Sequence, residues 1–272
     1  MLQRNILIFA LILFTAFFPA PEAFCSAPEE KAASFIGEEA RYDVSWSGVA
    51  AGTAKLTVKS GESGQIRFNA IAKTNSGVGI LYPLNVKYES NINPADFGST
   101  LFTTSGKEGW GDEVERRVEF AGAESKYYKD GKLKKTLEIP PDVRDPLSMI
   151  YYFRLVTLPE EGRTFPFKIA DGKSVVDGTL KVLGREKVKT PLGEFKTVKV
   201  EPQMKGIKGI FGKSPDAHMY IWFSDDDRRL MVKILSEVSV GSFTALLSGL
   251  QGATLPHQEP VSELPALKEE AR

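Results

Sequence analysis

Asp145, Ser148 and His218 supply the acid, hydroxyl and imidazole of a hydrolytic triad, but their surroundings do not build one. A nucleophilic serine of the strand-to-helix type sits in Gly-x-Ser-x-Gly, whereas Ser148 follows Asp145-Pro146-Leu147. Asp145 there holds the position of a helix N-cap, and Pro146 fits the first helical residue, where no amide hydrogen is required. His218 falls at the edge of a strand. Metal chemistry has even less support. The chain has two histidines, one of them in the polar C-terminal stretch at His257, so a zinc or copper site lacks ligands. Asp225-Asp226-Asp227 lacks the ligand spacing of a calcium loop and reads as a tight turn between Trp222 and Leu230. Glu113, Glu115 and Glu119 are candidates for the paired carboxylates of a glycan-acting enzyme, but their alternation first makes them one solvated strand face. No cofactor is expected.

Binding chemistry is better represented. Arg154 ends an apolar run, and a buried guanidinium needs a partner. That partner is either a structural carboxylate or an anionic headgroup held at the inner end of a cavity. Lys205-Gly206-Ile207-Lys208-Gly209-Ile210-Phe211-Gly212-Lys213 joins three lysines and three apolar residues on a glycine-rich loop. It is not a phosphate loop, because the Gly-x-x-x-x-Gly-Lys-[Ser/Thr] spacing is incomplete. Lys205, Lys208, Phe211 and Lys213 are therefore candidate contacts to an anionic lipid surface or a pocket mouth. Ile80, Leu81 and Tyr82 belong to a second apolar loop, Gly77 to Leu84, and Phe243 to Leu250 is a third apolar stretch. A hairpin tip is the plain reading of the lysine loop. A common rim for all three stretches would favour a cavity.

The elements that must position these residues are mostly strands. Tyr42, Val44 and Trp46 alternate with Arg41, Asp43 and Ser45, and Ala54, Leu56 and Val58 continue the pattern after a glycine-bearing turn. Further strands are expected over 66–72, 86–92, 116–120, 126–129, 179–185, 196–202, 219–223 and 231–240, with hairpin signals at Asp130-Gly131 and Asp171-Gly172. One segment breaks the rhythm. From Pro146 to Leu158 the chain reads as a helix apolar on nearly every side, which must be surrounded. A mainly β fold follows: a curved antiparallel sheet or open barrel wrapped around one buried helix.

The first residues carry an address. Arg4, the uncharged run Ile6 to Ala20 and the small residues after it have the form of a cleavable export signal, too short in its apolar part for a spanning helix. The preferred cut follows Cys25, with one after Ala27 as the alternative. Phe24 before Cys25 argues against a lipidated cysteine. The organisation expected is a signal peptide over 1–25, one β-rich domain over 35–250 and a solvated tail over 251–272. Residues 26–34 read as polar and loose. The exported chain would be free in the periplasm, without a permanent membrane span. It would have no cysteine, which excludes disulfides and thiol chemistry. Its 34 basic residues meet 34 acidic ones, so nothing marks a nucleic-acid surface.

Four blocks resemble a bacterial envelope family known as the domain of unknown function 3108. They are Gly37 to Trp46 with Ala51-Gly52, Asp145-Pro146-Leu147-Ser148 leading into Tyr151-Tyr152-Phe153-Arg154, Thr190 to Phe195, and Tyr220 to Leu230. The resemblance covers about residues 35 to 243 and implies an exported, mostly antiparallel β protein without an established activity. The expected architecture is also similar to periplasmic lipoprotein carriers of the LolA and LolB kind, in which a curved sheet encloses a hydrophobic cavity. Such a likeness speaks to fold alone. The leading expectation is a non-enzymatic periplasmic binding or envelope-assembly factor for a hydrophobic ligand, such as a lipid or lipoprotein acyl chain. A hydrolytic enzyme and a structural partner of another envelope protein are the alternatives.

Overall fold

The computed structural model describes residues 28–80, 82–158, 160–204, 218–238 and 241–252. The export segment, Leu81, the lysine loop with Lys205, Lys208, Phe211 and Lys213, and the tail from residue 253 lie outside the described residues.

Alternating burial produces strands from end to end. They are β1 (Glu39–Trp46), β2 (Val49–Ser60), β3 (Ile66–Thr74), β4 (Leu84–Asn93), β5 (Gly98–Glu108), β6 (Val114–Ala121), β7 (Glu124–Lys129) and β8 (Lys132–Glu138). After the two-residue β9 (Val143–Arg144) come β10 (Thr164–Ala170), β11 (Val175–Thr190), β12 (Gly193–Met204), β13 (His218–Ser224), β14 (Met231–Val238) and β15 (Gly241–Gln251). All fifteen join one open sheet in the order β8-β7-β6-β5-β4-β3-β2-β1-β15-β14-β13-β12-β11-β10-β9. Two antiparallel meanders thus meet where the first strand pairs with the last, Trp46 opposite Phe243 and Ala40 opposite Leu250. Among the described residues only β9 and β10 run parallel. A parallel pair needs a crossover, and here a helix supplies it.

Among the described residues three short α-helices accompany the sheet: α1 (Pro28–Ala33), α2 (Ser76–Gly79) and α3 (Pro146–Leu155). The mainly β expectation holds, in the form of an open sheet. Helix α3 begins where expected, with Pro146 at its first turn, and ends early because β-branched Val156 takes an extended conformation. Residues 28–33 are helical rather than loose: Ala32 is fully buried and Phe35 nearly so, and that apolar pair holds the segment on the core. Helix α3 touches β3, β4, β10 and α1. Tyr151 stacks on Phe68 at 4.1 Å, and Phe153 meets Phe167 edge-on at 5.1 Å. Each aromatic contact of this kind adds about 0.5–1.5 kcal/mol to the burial itself.

Strand register decides where loops fall. In an antiparallel meander alternate turns share one end of the sheet. The pairs Trp46↔Val49, Lys73↔Asn85, Gly106↔Val114 and Lys129↔Lys132 place the β1–β2, β3–β4, β5–β6 and β7–β8 connections at one end. Ala170↔Val175 and Gly178↔Met204 place the β10–β11 turn there too, with the C-terminus of β12. Close approach within the sheet requires glycine at Gly52, where a Cβ would overlap the backbone carbonyl of Lys73. Gly52→Ala must therefore part β2 from β3, at a cost of about 1–3 kcal/mol. Its melting temperature should fall by several degrees, while Gly111→Ala, with open space around the Cα, should melt like the parent. Coincident melting of all three would refute the assigned register.

Candidate functional site

Helix α3 is pinned at both ends by buried polar groups. At its N-terminus the fully buried Asp145 carboxylate accepts from the N–H groups of Leu147 at 2.9 Å and Ser148 at 3.0 Å. Its second oxygen accepts from Ser90 Oγ of β4 at 2.7 Å and Ser99 Oγ of β5 at 2.6 Å. Four donors and the positive end of the helix satisfy this carboxylate where it stands. Ser148 Oγ lies 3.0 Å from Ser99 Oγ and donates to the Asp145 carbonyl. Its hydroxyl is tied into the cap. His218 instead meets Glu201, Nδ1 to Oε1 at 2.7 Å, on β12. Asp145 and Ser148 thus share the cap network, while His218 is held apart from them by Glu201.

At the C-terminus of α3, Arg154 is buried and bidentate to Glu38, Nη1–Oε1 2.6 Å and Nη2–Oε2 2.8 Å. Its Nε donates to the Arg228 carbonyl at 3.2 Å, and its guanidinium lies 4.3 Å from the centre of the Phe35 ring. Burial works to lower the pKa of this group. The two hydrogen bonds and the negative charge of Glu38 outweigh that effect and leave it above its ordinary value. Burial also raises Tyr42 and Tyr151 alongside it, keeping both phenols neutral. An anionic headgroup at Arg154 would have to displace Glu38, the partner that the sequence left open.

The opposite face of the helix borders empty space. Pro146, Met149, Ile150 and Phe153 recur at i, i+3, i+4 and i+7 and form one wall of a cavity of about 330 Å³. Tyr88 of β4 lines it from one side. Phe167 and Ile169 of β10, Val176 of β11, Pro202 and Met204 of β12, and Met219 and Ile221 of β13 line the other. Eight strands separate β4 from β10 in the sheet order, yet both meet this space. Asp171 completes the lining, but its Oδ1 is engaged by the N–H groups of Lys173 and Ser174 at 2.9 Å. Burial and, after it, the charge of Glu108 raise the Tyr88 pKa, so the Tyr88 side chain that lines the cavity is uncharged. The volume lies at the low end of the roughly 300–1,000 Å³ of small-molecule sites, and the apolar lining fits that class.

Ile80 and Tyr82 lie elsewhere, at the β3–β4 connection, where Ile80 and Trp110 border a shallow cleft of about 530 Å³. Trp110 was not singled out from the sequence, since a lone tryptophan between glycines breaks no pattern. Glu38, Ser90 and Ser99 were missed as well. Their role depends on contacts between residues 46 to 116 positions apart, which no local spacing reveals. Glu113 and Glu115 are exposed, and Glu119 is 3.1 Å from Arg117. Asp225-Asp226-Asp227 is a turn: Asp226 Oδ1 accepts from the N–H groups of Arg228 and Arg229 and from Ser224 Oγ. Among the described residues no group of three His, Cys, Asp or Glu side chains is placed to hold a metal ion. Nor is any described helix long and apolar enough to cross a membrane.

The pair at the base of α3 generates a stability prediction. Glu38→Gln leaves a buried, uncompensated guanidinium and should cost about 3–5 kcal/mol in urea unfolding. The double variant Glu38→Leu with Arg154→Met removes both charges and should recover most of that loss. A single variant within 1 kcal/mol of the parent would show that the pair is not desolvated.

No curated protein matches the chain, but solved structures do. A β-barrel-like protein of the domain-of-unknown-function family DUF1849 from Brucella abortus is 11% identical. The alignment covers 79% of this chain and 97% of that one, with a TM-score of 0.52, which shows a shared fold. A protein with a YmcC-like fold from Bacteroides fragilis is 11% identical over 79% of this chain and 96% of its own, with a TM-score of 0.36. The protein CT021 of Chlamydia trachomatis is 8% identical over 87% and 98%, with a TM-score of 0.37. At those scores neither bears on fold or function. Residues 41–248 match the family described as protein of unknown function (DUF3108), and over that share of its length the chain belongs to this family.

Proposed function

We propose that this protein is a non-enzymatic binding factor of the bacterial envelope that takes a hydrophobic, lipid-like ligand into the cavity beside α3. The observation that carries the proposal is the cavity of about 330 Å³, walled by one whole face of a helix and by inward residues of five strands. Helix α3 fills its other side with close aromatic contacts, so the empty face is a local feature rather than loose packing throughout. Empty apolar space in a core costs stability, because its lining lacks partner atoms. A ligand restores those contacts. Met149, Met204 and Met219 line the space, and unbranched thioether side chains adapt to differing apolar shapes.

The lining draws on both β4 and β10, which eight strands separate in the sheet order, and this supports the same reading. Export to the periplasm rests on Arg4 and the apolar run Ile6 to Ala20. The carboxylate of Asp145 and the hydroxyl of Ser148 are consumed by the cap, and this favours binding over hydrolysis.

Native mass spectrometry of the protein purified gently from its own envelope should show an adduct of lipid mass that organic extraction removes. Ile150→Trp projects an indole into the cavity and should abolish the adduct while leaving the β-sheet circular dichroism unchanged. A folded parent protein that never carries an adduct, and does not take up a fluorescent acyl ester, would defeat the proposal.

A further inference from the structure

The described residues expose six large hydrophobic side chains, and five of them sit at one end of the sheet. Val49 opens β2 after the β1–β2 turn and is 64% exposed; Ile80 and Tyr82 lie on the β3–β4 connection at 71% and 39%. Trp110 tips the β5–β6 turn at 71%, and Leu133 follows the β7–β8 turn at 53%. Four alternate turns of the first meander, all at one end of the sheet, therefore each carry an exposed apolar side chain at or beside the turn.

The most prominent of these tips is braced. Asn75 donates through Nδ2 to the Ala50 carbonyl at 2.7 Å, receives Val78 N–H at 2.9 Å, and sends its own N–H to the Ala51 carbonyl at 2.8 Å. Tyr82 donates to Glu108 at 3.2 Å, and Gly109 N–H reaches the Pro83 carbonyl at 2.8 Å. Within this frame Val78 is buried and Ile80 stands out. The braced β3–β4 loop holds Ile80 outward beside Trp110 of the β5–β6 turn, and the two border one cleft as a contiguous apolar patch.

We infer that this end is a membrane-docking face whose hairpin tips insert into the headgroup region of a zwitterionic bilayer. The tips stand on alternate turns of the meander, and of them Ile80 and Trp110 border one shallow cleft. Each tip can enter a soft interface, whereas a protein partner wants one patch continuous across all of them. Tryptophan and tyrosine, with an apolar body and a polar edge, favour the membrane–water boundary. The charge also fits an uncharged surface. Residues 47–48 and 75–83 contain no charged side chain. At the neighbouring strand ends Lys73, Lys107, Lys129, Lys132 and Lys134 stand among Glu108, Asp112, Glu113 and Asp130, within one charge of balance. Binding of this kind is driven by apolar insertion, so salt should not weaken it. The inference goes beyond the cavity reading and does not depend on it.

The test is flotation of the full chain with phosphatidylcholine vesicles, alongside tryptophan emission. Trp222 is buried and Trp46 is half-buried at the β1–β2 turn, so only the part of a blue shift on vesicle addition, quenched by bromine-labelled lipid, that is lost in Trp110→Phe reports on Trp110. Ile80→Asp and Trp110→Asp should each lower the partition coefficient about tenfold or more, equally at low and high salt. Both sites are exposed, so unchanged melting will accompany the loss. Ile36→Asp, at the other end of the sheet, should bind like the parent, and so should the cavity variant Ile150→Trp. Failure of the parent to float, binding abolished by salt, or a Trp110 blue shift that appears without lipid as protein concentration rises would each overturn the inference. The last outcome would assign this end to a second copy of the chain.

Discussion

The position of α3 is set by two buried polar contacts at its ends, and the rest of the site depends on them. A ten-residue helix gains little from its own hydrogen bonds and takes its place from what it packs against. Asp145 ties its start to β4 and β5 through Ser90 and Ser99. Arg154 ties its end to Glu38 at the edge of β1 and to the β13–β14 turn through the Arg228 carbonyl. The pins sit on different parts of the sheet order, so the helix cannot slide along either without losing one. Buried ion pairs are weak sources of net stability but penalise wrong arrangements heavily. Here that penalty fixes the rotation of the helix about its axis.

Rotation matters because the two faces of α3 do different things. Tyr151 and Arg154 face the aromatic packing around Phe35 and Phe68. Pro146, Met149, Ile150 and Phe153 face the cavity. A turn of about 100° per residue separates these sets, so one residue of slippage would bring Arg154 towards the apolar space. The bidentate pair with Glu38 keeps the guanidinium away from it. Rigid placement of a charge on one face thus preserves the apolar character of the other.

The elements were readable in the sequence wherever one physical signal stood alone. The N-cap Asp145 with Pro146 marked the start of α3 to the residue, and the alternation of Tyr42, Val44 and Trp46 marked β1. Strand β5 escaped notice because Ser99, Thr100, Thr103, Thr104 and Ser105 dilute its apolar alternation. Strand β15 read only as an apolar stretch, since Ala245, Leu246 and Leu247 are consecutive. The candidate site was less legible. Arg154 announced that it needed a partner, but Glu38 lies 116 residues away and only the tertiary fold brings it there. The periodic face of α3 looked uniformly apolar, and nothing in a sequence distinguishes apolar residues that meet other atoms from those that meet a void.

Chain topology ties the cavity to the exposed tips. The helix and its polar pins occupy the end where β1 begins and β13 hands over to β14. The β1–β2, β3–β4, β5–β6 and β7–β8 turns fall at the opposite end by the parity of the meander. Met204 and Met219, which border the cavity, stand at the ends of β12 and β13 nearest those turns. The helix side of the cavity is thus its most restrained part, and its walls run toward the apolar tips. Constraint at one end and exposed apolar surface at the other is the polarity that the proposed binding role needs if a ligand is to leave without crossing water. Charge placed among the tips would remove that continuity, and the β3–β4 connection carries none.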